Sequence, residues 1–197
     1  MSKTDQLKQI RDAVLNLKES PLYEYRVKNH YYPVIGEGNH DAEIVFIGEA
    51  PGKNEAEQAR PFCGAAGRIL DEMLGSINLD RKSVYITNIV KDRPPDNRDP
   101  SPEEINLYSP FLIQQIQIIQ PRVIATLGRF SMKFILDAFS LPESTQTITA
   151  LHGKTIHTKT SYGEIDIVPL YHPAVALYSG SSKQTLLNDV QVLKNFL

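Results

Sequence analysis

Four short segments place carboxylate, aromatic, carboxamide and imidazole groups where loops follow apolar runs. The first is Gly48-Glu49-Ala50-Pro51-Gly52, directly after Ile44-Val45-Phe46-Ile47 and continuing to Arg60-Pro61-Phe62 and Gly64-Ala65-Ala66-Gly67. A strand that ends in glycines and opens a helix turns backbone N–H groups and the helix dipole toward an anion such as phosphate. Glu49 is the only carboxylate of that first loop. There it can orient a water or sit beneath a developing positive charge, or it can simply cap the next helix. Phe62, between Pro61 and Gly64, is presented at a loop, where its ring can stack on a base for about 1–3 kcal/mol without regard to base identity; the plain alternative is a core phenylalanine. Asn88 closes Tyr85-Ile86-Thr87-Asn88 and offers a donor beside an acceptor, or else satisfies a turn. His172 is locked by Pro173 in Tyr171-His172-Pro173-Ala174 and can donate to an oxygen on which negative charge builds, unless it is a satisfied core histidine. Lys91, Arg93 and Arg98 lie in the remaining segment, Val90-Lys91-Asp92-Arg93-Pro94-Pro95-Asp96-Asn97-Arg98, and make either a local basic rim or ordinary solvated surface.

These groups need a scaffold. Ala42 to Ile47, Ser83 to Val90, Arg122 to Leu127 and Ile165 to Leu170 are apolar on both faces, the signature of buried parallel strands. Helical periodicity fills the intervals: Leu7, Ile10, Val14 and Leu17; Ile69, Leu70, Met73 and Leu74; Ile105, Tyr108, Leu112, Ile116 and Ile119; Phe134, Ile135 and Ala138. Leu186, Leu187, Val190, Leu193 and Phe196 close the chain with an amphipathic helix. Ser101-Pro102-Glu103-Glu104 reads as a capping box with proline at the first helical position, and Pro110 predicts a kink further along. Val34 to Asn39 reads as a turn, and Ser140 to Gly163 as a loop and hairpin. The alternation predicts an α/β fold, a three-layer doubly wound sheet with four central parallel strands flanked by helices. Glu49, Asn88 and His172 then fall at the carboxyl ends of strands, where such sheets bind ligands.

A length of 197 residues suits one domain, residues 1–197. A hydrophobic fraction of 41% and a charged fraction of 22% mark a soluble globular protein, and a net charge of −2 argues against a broad electrostatic binder of nucleic acid while leaving room for a local rim. Cys63 is the single cysteine, so the chain alone holds neither a disulfide nor a thiolate cluster. The first residues lack an apolar signal core and no apolar run approaches 20 residues, which predicts a cytosolic or nucleoid protein with no membrane partner, expected to be a monomer.

In order and spacing the four segments resemble the family 4 uracil-DNA glycosylases, from about Pro21 onward. The resemblance implies a monofunctional enzyme that hydrolyses the N-glycosidic bond of deoxyuridine in DNA, with uracil-containing DNA as its partner. Glu49 and His172 take the catalytic positions. Phe62, Asn88, Glu55 and Gly48 take those around uracil, with Glu55 near its C5 edge. Gly64, Gly67, Lys91, Arg93 and Arg98 are expected near DNA, with Pro173, Leu177 and Tyr178 in a loop that probes it; Leu177 or Tyr178 is the candidate wedge. The chain departs from the family at one point. The four cysteines that hold a four-iron cluster fall near Leu17, Ser20, Asp92 and Tyr108, so no cofactor is expected, and Tyr108 and Leu17 are the candidates to replace its crosslink. The basic, histidine-bearing insertion of the covalent-trapping relatives is missing between Lys91 and Pro100, so covalent capture is not expected. Excision of hypoxanthine or xanthine, a weak uracil-DNA binding protein and a nucleotide-binding α/β protein are the competing readings.

Overall fold

The chain is described over residues 1–197 by a computed structural model. Its centre is a six-stranded sheet in the order β1-β3-β2-β4-β6-β5. The strands are β1 Glu37–Gly38, β2 Ile44–Gly48, β3 Tyr85–Asn88, β4 Val123–Leu127, β5 Ile156–Thr160 and β6 Gly163–Leu170. β3, β2, β4 and β6 run parallel, as expected, and short antiparallel strands close both edges, β1 on β3 and β5 on β6. The turn expected at Val34 to Asn39 thus includes a two-residue edge strand.

Successive residues of the central strands bury on opposite sides. Ile44 and Phe46 join a core with Leu70, Met73 and Leu74, while Val45 and Ile47 join one with Tyr108, Leu112 and Ile135. Eight α-helices flank the sheet: α1 Lys3–Leu15, α2 Tyr23–Lys28, α3 Lys53–Gln58, α4 Ala65–Ser76, α5 Pro102–Ile119, α6 Arg129–Ala138, α7 Ile148–Leu151 and α8 Gly180–Asp189. The capping box at Ser101 and Glu104 is formed in full. α5 continues through Pro110 as one helix. The carbonyl of Asn106, which loses its donor to that proline, receives a weak hydrogen bond from the Ser109 hydroxyl at 3.5 Å. The closing helix is shorter than its apolar pattern: α8 stops at Asp189, and a 3₁₀ helix from Val190 to Phe196 carries the same buried face through Val190 and Leu193.

The four positions where the resemblance places cluster cysteines meet in space. Tyr108 donates its hydroxyl proton to Asp92 at 2.5 Å, so Ser20, 2.7 Å from the phenol oxygen, donates to Tyr108. Arg26 bonds both Asp92 oxygens and the Val14 and Leu15 carbonyls at the end of α1. Leu17 packs in the same core as Tyr108. A leucine, a serine, an aspartate and a tyrosine that satisfy one another do not fit a group held by four thiolates. Cys63 lies in the loop before α4. A hydrogen-bonded crosslink from α1 to the end of β3 occupies that place.

Candidate active site

β2 pairs with β3 on one side and β4 on the other, so the chain reverses its winding at β2 and a crevice opens beyond the strand ends. Register sets Gly48 opposite Asn88. Glu49 follows β2, Asn88 ends β3, and His172 stands two residues past β6 at the start of the 3₁₀ turn Pro173–Leu177. A cavity of about 420 Å³ opens there, and its walls include Glu49, Glu55, Phe62, Asn88 and His172 together.

Gly48 is the floor that lets them approach. A methyl group on it would lie 2.3 Å from Asn88 Oδ1 and 2.7 Å from the Phe62 ring. Asn88 is 2% exposed, and its carboxamide oxygen has no protein partner. A buried acceptor left unpaired is costly, and Asn88 lines the cavity, from which a ligand can bring a donor. Phe62 sits at φ 47°, a left-handed conformation that a bulky residue adopts only under constraint. Its carbonyl passes directly over Gly67, where any Cβ would approach to 1.9 Å. The rings of Phe62 and His172 are 5.7 Å apart, one wall against the other.

The two titratable walls are tuned in opposite senses. Removal from water pushes the Glu49 carboxyl up to about 7; the charge of Asp99 adds to this and that of Arg129 opposes it. Desolvation by its surroundings takes His172 down to about 4 although one edge meets the cavity, so the imidazole is neutral at pH 7. The Ala174 N–H donates to His172 Nδ1 at 3.2 Å, which assigns the proton to Nε2. Glu49 is therefore a carboxylate poised near neutrality, and His172 is a neutral donor.

Several sequence expectations need correction. Lys91 is not on a rim: it is 0% exposed, with its amino group bonded inside the protein to Thr87, Asn88 and Gln115. Gly64 and Gly67 are buried rather than open to DNA. The N–H groups of Cys63 and Gly64 donate to Glu55 Oε1 at 3.0 and 2.9 Å, so the anion that the start of α4 attracts is the protein's own carboxylate. Glu55 thereby holds the Phe62 loop against α3. Arg93 is half-buried and turned away, with its guanidinium on Tyr25, Tyr31 and Asn97. Arg98 does line the cavity, paired with Glu104 at 2.6 Å. Pro173 is buried, Tyr178 lines the mouth at 88% exposed, and Leu177, 47% exposed, stands beside it. Pro94 and Asn97, inside the Val90 to Arg98 segment but given no role from the sequence, also line the cavity, as does Asp99, which sequence reasoning missed. Their segment follows a strand end, but nothing in their residue types marks them.

Comparison with known proteins gives the family. Residues 35–193 match the family model described as Uracil DNA glycosylase superfamily. The chain is 44% identical over 191 residues to the Type-4 uracil-DNA glycosylase of Sulfurisphaera tokodaii, covering 96% of this chain and 84% of that protein. It is also 44% identical over 165 residues to the Type-4 uracil-DNA glycosylase of Archaeoglobus fulgidus, 84% of this chain and 81% of the relative. The Type-5 uracil-DNA glycosylase of Thermus thermophilus is more distant, at 32% over 127 residues and 57% of this chain. With strand-end carboxylate, carboxamide and imidazole groups gathered in one crevice and a family match across the whole sheet, the chain belongs to the uracil DNA glycosylase superfamily.

Proposed function

We propose that the protein hydrolyses the N-glycosidic bond of deoxyuridine in DNA, releasing uracil and leaving an abasic site. The single observation that carries the reading is the unpartnered Asn88 Oδ1, buried at the floor of a cavity walled by an aromatic ring. Uracil offers the matching edge. Its N3–H donates to Oδ1 while its O4 accepts from the Asn88 amide, a pattern that cytosine reverses. Phe62 stacks on the base that has left the helix.

The carbon–nitrogen bond breaks with its electron pair staying on the base, so the sugar becomes cationic and uracil anionic. The His172 Nε2–H meets the growing charge on uracil O2, where a neutral donor stabilises the anion without transferring its proton. The Glu49 carboxylate faces the cationic sugar, orients the water that adds to C1′ and accepts the proton that this water loses, which then passes to solvent. Tyr178 or Leu177 enters the stack from the mouth, in the gap left by the flipped nucleotide. Glu55 borders the base with a loop-anchored carboxylate, and Arg98 meets the backbone.

The test is a nicking assay on uracil-containing oligonucleotides, single- and double-stranded, with alkali after incubation and with hypoxanthine and xanthine substrates alongside. Alkali-labile breaks at uracil that require intact Glu49 support the reading. Breaks confined to the purine lesions, or none at all, would overturn it.

A further inference from the structure

Lys91 is the largest departure of the structure from a surface reading of the sequence. Its side chain is fully buried, yet no carboxylate pairs with it. The amino group instead has three oxygen partners: Thr87 Oγ1 at 2.8 Å, the Asn88 carbonyl at 2.7 Å and Gln115 Oε1 at 2.6 Å. Each is an acceptor toward it. The Thr87 hydroxyl donates its proton to the Ile35 carbonyl, and the Gln115 amide donates to that same carbonyl and to the Tyr85 hydroxyl. Burial draws the Lys91 pKa well below the usual lysine range, while three acceptors call for three N–H donors, which the ammonium form supplies.

Strand geometry explains why the Asn88 carbonyl needs such a partner. Along β3, successive peptides point to opposite sides. The Ile89 N–H donates to the Gly48 carbonyl on the β2 side, so the Asn88 carbonyl points to the β1 side. β1 reaches only Tyr85 and Ile86, so past them no strand covers that side. Lys91 reaches back from the turn after β3 and fills the vacancy. Asn88 is thus gripped from two directions, by the Gly48 floor beneath its carboxamide and by the lysine on its own peptide.

We propose that Lys91 is a positioning residue for base readout, whose amino group, braced by Thr87 and Gln115, fixes the Asn88 peptide and so aims the Asn88 carboxamide into the cavity. The assignment rests on the glycosylase reading above. It explains why a cation costly to desolvate is retained one turn from the reading residue, where a leucine of similar volume would pack without penalty. Lys91 touches no substrate; it acts through Asn88.

The experiment measures single-turnover excision from a uracil-containing single strand, inhibition by free uracil, and affinity for abasic-site DNA. It compares wild type with Lys91→Met, Thr87→Val and Tyr85→Phe. Lys91→Met is expected to lower the excision rate and weaken inhibition by free uracil each by about tenfold or more, with abasic-site affinity held within about twofold. Thr87→Val removes one brace and keeps the volume, so it should move the same two quantities in the same direction by a smaller factor, and it decides the question if Lys91→Met does not fold. Tyr85→Phe removes a hydroxyl from the same cluster without touching Asn88 or Lys91, and should leave excision unchanged even where it lowers the melting temperature. Wild-type excision and uracil inhibition in Lys91→Met, or in Thr87→Val should Lys91→Met not fold, would overturn the proposal. So would rate losses that track melting temperature across all three variants. Failure of the wild type itself to release uracil would instead defeat the glycosylase reading and this assignment with it.

Discussion

Glu49 and His172 face the same cavity with their ordinary protonation tendencies altered in opposite directions, and this makes the pH dependence specific. A Glu49 carboxyl held near 7 is protonated and inactive below that value and ionised above it, so the single-turnover rate should rise with pH through an apparent pKa of about 7. Because the negative charge of Asp99 helps hold that pKa up, Asp99→Asn should move the rising limb to lower pH, whereas Arg129→Gln should move it to higher pH. His172, already neutral above about 4, should contribute no inflection near the ordinary histidine value. A profile flat from pH 5 to 9 (about the usable range of such an assay), or shifts in the opposite sense, would reject Glu49 as the titrating group. Asn88 makes the second residue-scale prediction. Asn88→Asp sets a second acceptor against uracil O4, a buried mismatch worth on the order of 1–3 kcal/mol or more. The variant should lose most uracil excision and gain slow release of cytosine from single-stranded or mismatched DNA, read by the same alkaline cleavage. Wild-type uracil activity in this variant would mean that Asn88 does not read the base. The types of Glu49, Asn88 and His172 were informative in the sequence because each follows an apolar run. Lys91 misled because burial depends on β1 ending early and on Gln115 arriving from α5, and neither is local to the lysine.

At the scale of elements, α1 and α2 are tied to the turn after β3 by Arg26, Asp92, Tyr108 and Ser20. Arg26 and Asp92 form an almost solvent-free ion pair at 2.9 Å, and removing one member of such a pair strands a buried charge. Asp92→Ala should therefore cost about 3–5 kcal/mol of stability, and Tyr108→Phe about 1–3 kcal/mol for the orphaned carboxylate contact. Both are to be measured by denaturant unfolding. Excision by the folded fraction should persist and be indifferent to iron chelators, since none of the four groups lines the cavity. Stoichiometric iron in the purified protein, or a negligible effect of both substitutions, would contradict this account. Tyr108 and Leu17 were legible as packing substitutes, but the hydrogen-bond chain was not. Arg26 lies outside the aligned motif positions, and its role requires the end of α1 to lie beside β3. The 3₁₀ turn after His172 carries the other element-scale prediction. It ends at Leu177, leaving Tyr178 almost fully exposed at the mouth. Tyr178→Ala should slow excision from duplex DNA more than from single strands, because only a duplex demands unpairing. Equal slowing of both would assign Tyr178 to the cavity wall instead of the wedge.

Across the whole molecule, the four central strands were readable because each is apolar on both faces, and Ile44 to Ile47 do divide alternately between the two cores. The edge strands were less legible. β1 has only two residues, too few to show alternation, and β5 exposes His157 and Lys159 of its five residues, so it reads as polar loop. Glycine spacing in the Gly64 to Gly67 stretch suggested phosphate, yet Glu55, three residues past Glu49's own loop, takes N–H groups at its start, a contact that depends on α3 folding back. Charge is the property of the whole molecule that bears most on DNA. The net value is −2, and the cations nearest the cavity are largely committed. Arg98 is paired with Glu104, Arg129 with Asp99 and Lys53 with Glu57, while Lys91 is buried and Arg93 bonds two tyrosines. Few are left to displace counterions from phosphates. Each phosphate neutralised on a duplex adds about −0.9 to the slope of log affinity against log salt, and proteins that make 6–10 such contacts lose about 10³–10⁵ in affinity between roughly 50 and 200 mM salt. Here the same change should weaken binding to abasic-site duplex by less than about a hundredfold, a slope no steeper than about −3. Titrations by fluorescence anisotropy at several salt concentrations measure it directly. A slope of about −6 or steeper would mean that a basic surface away from this cavity grips the DNA, and the docking of the duplex at the mouth formed by Arg98 and Tyr178 would have to be abandoned.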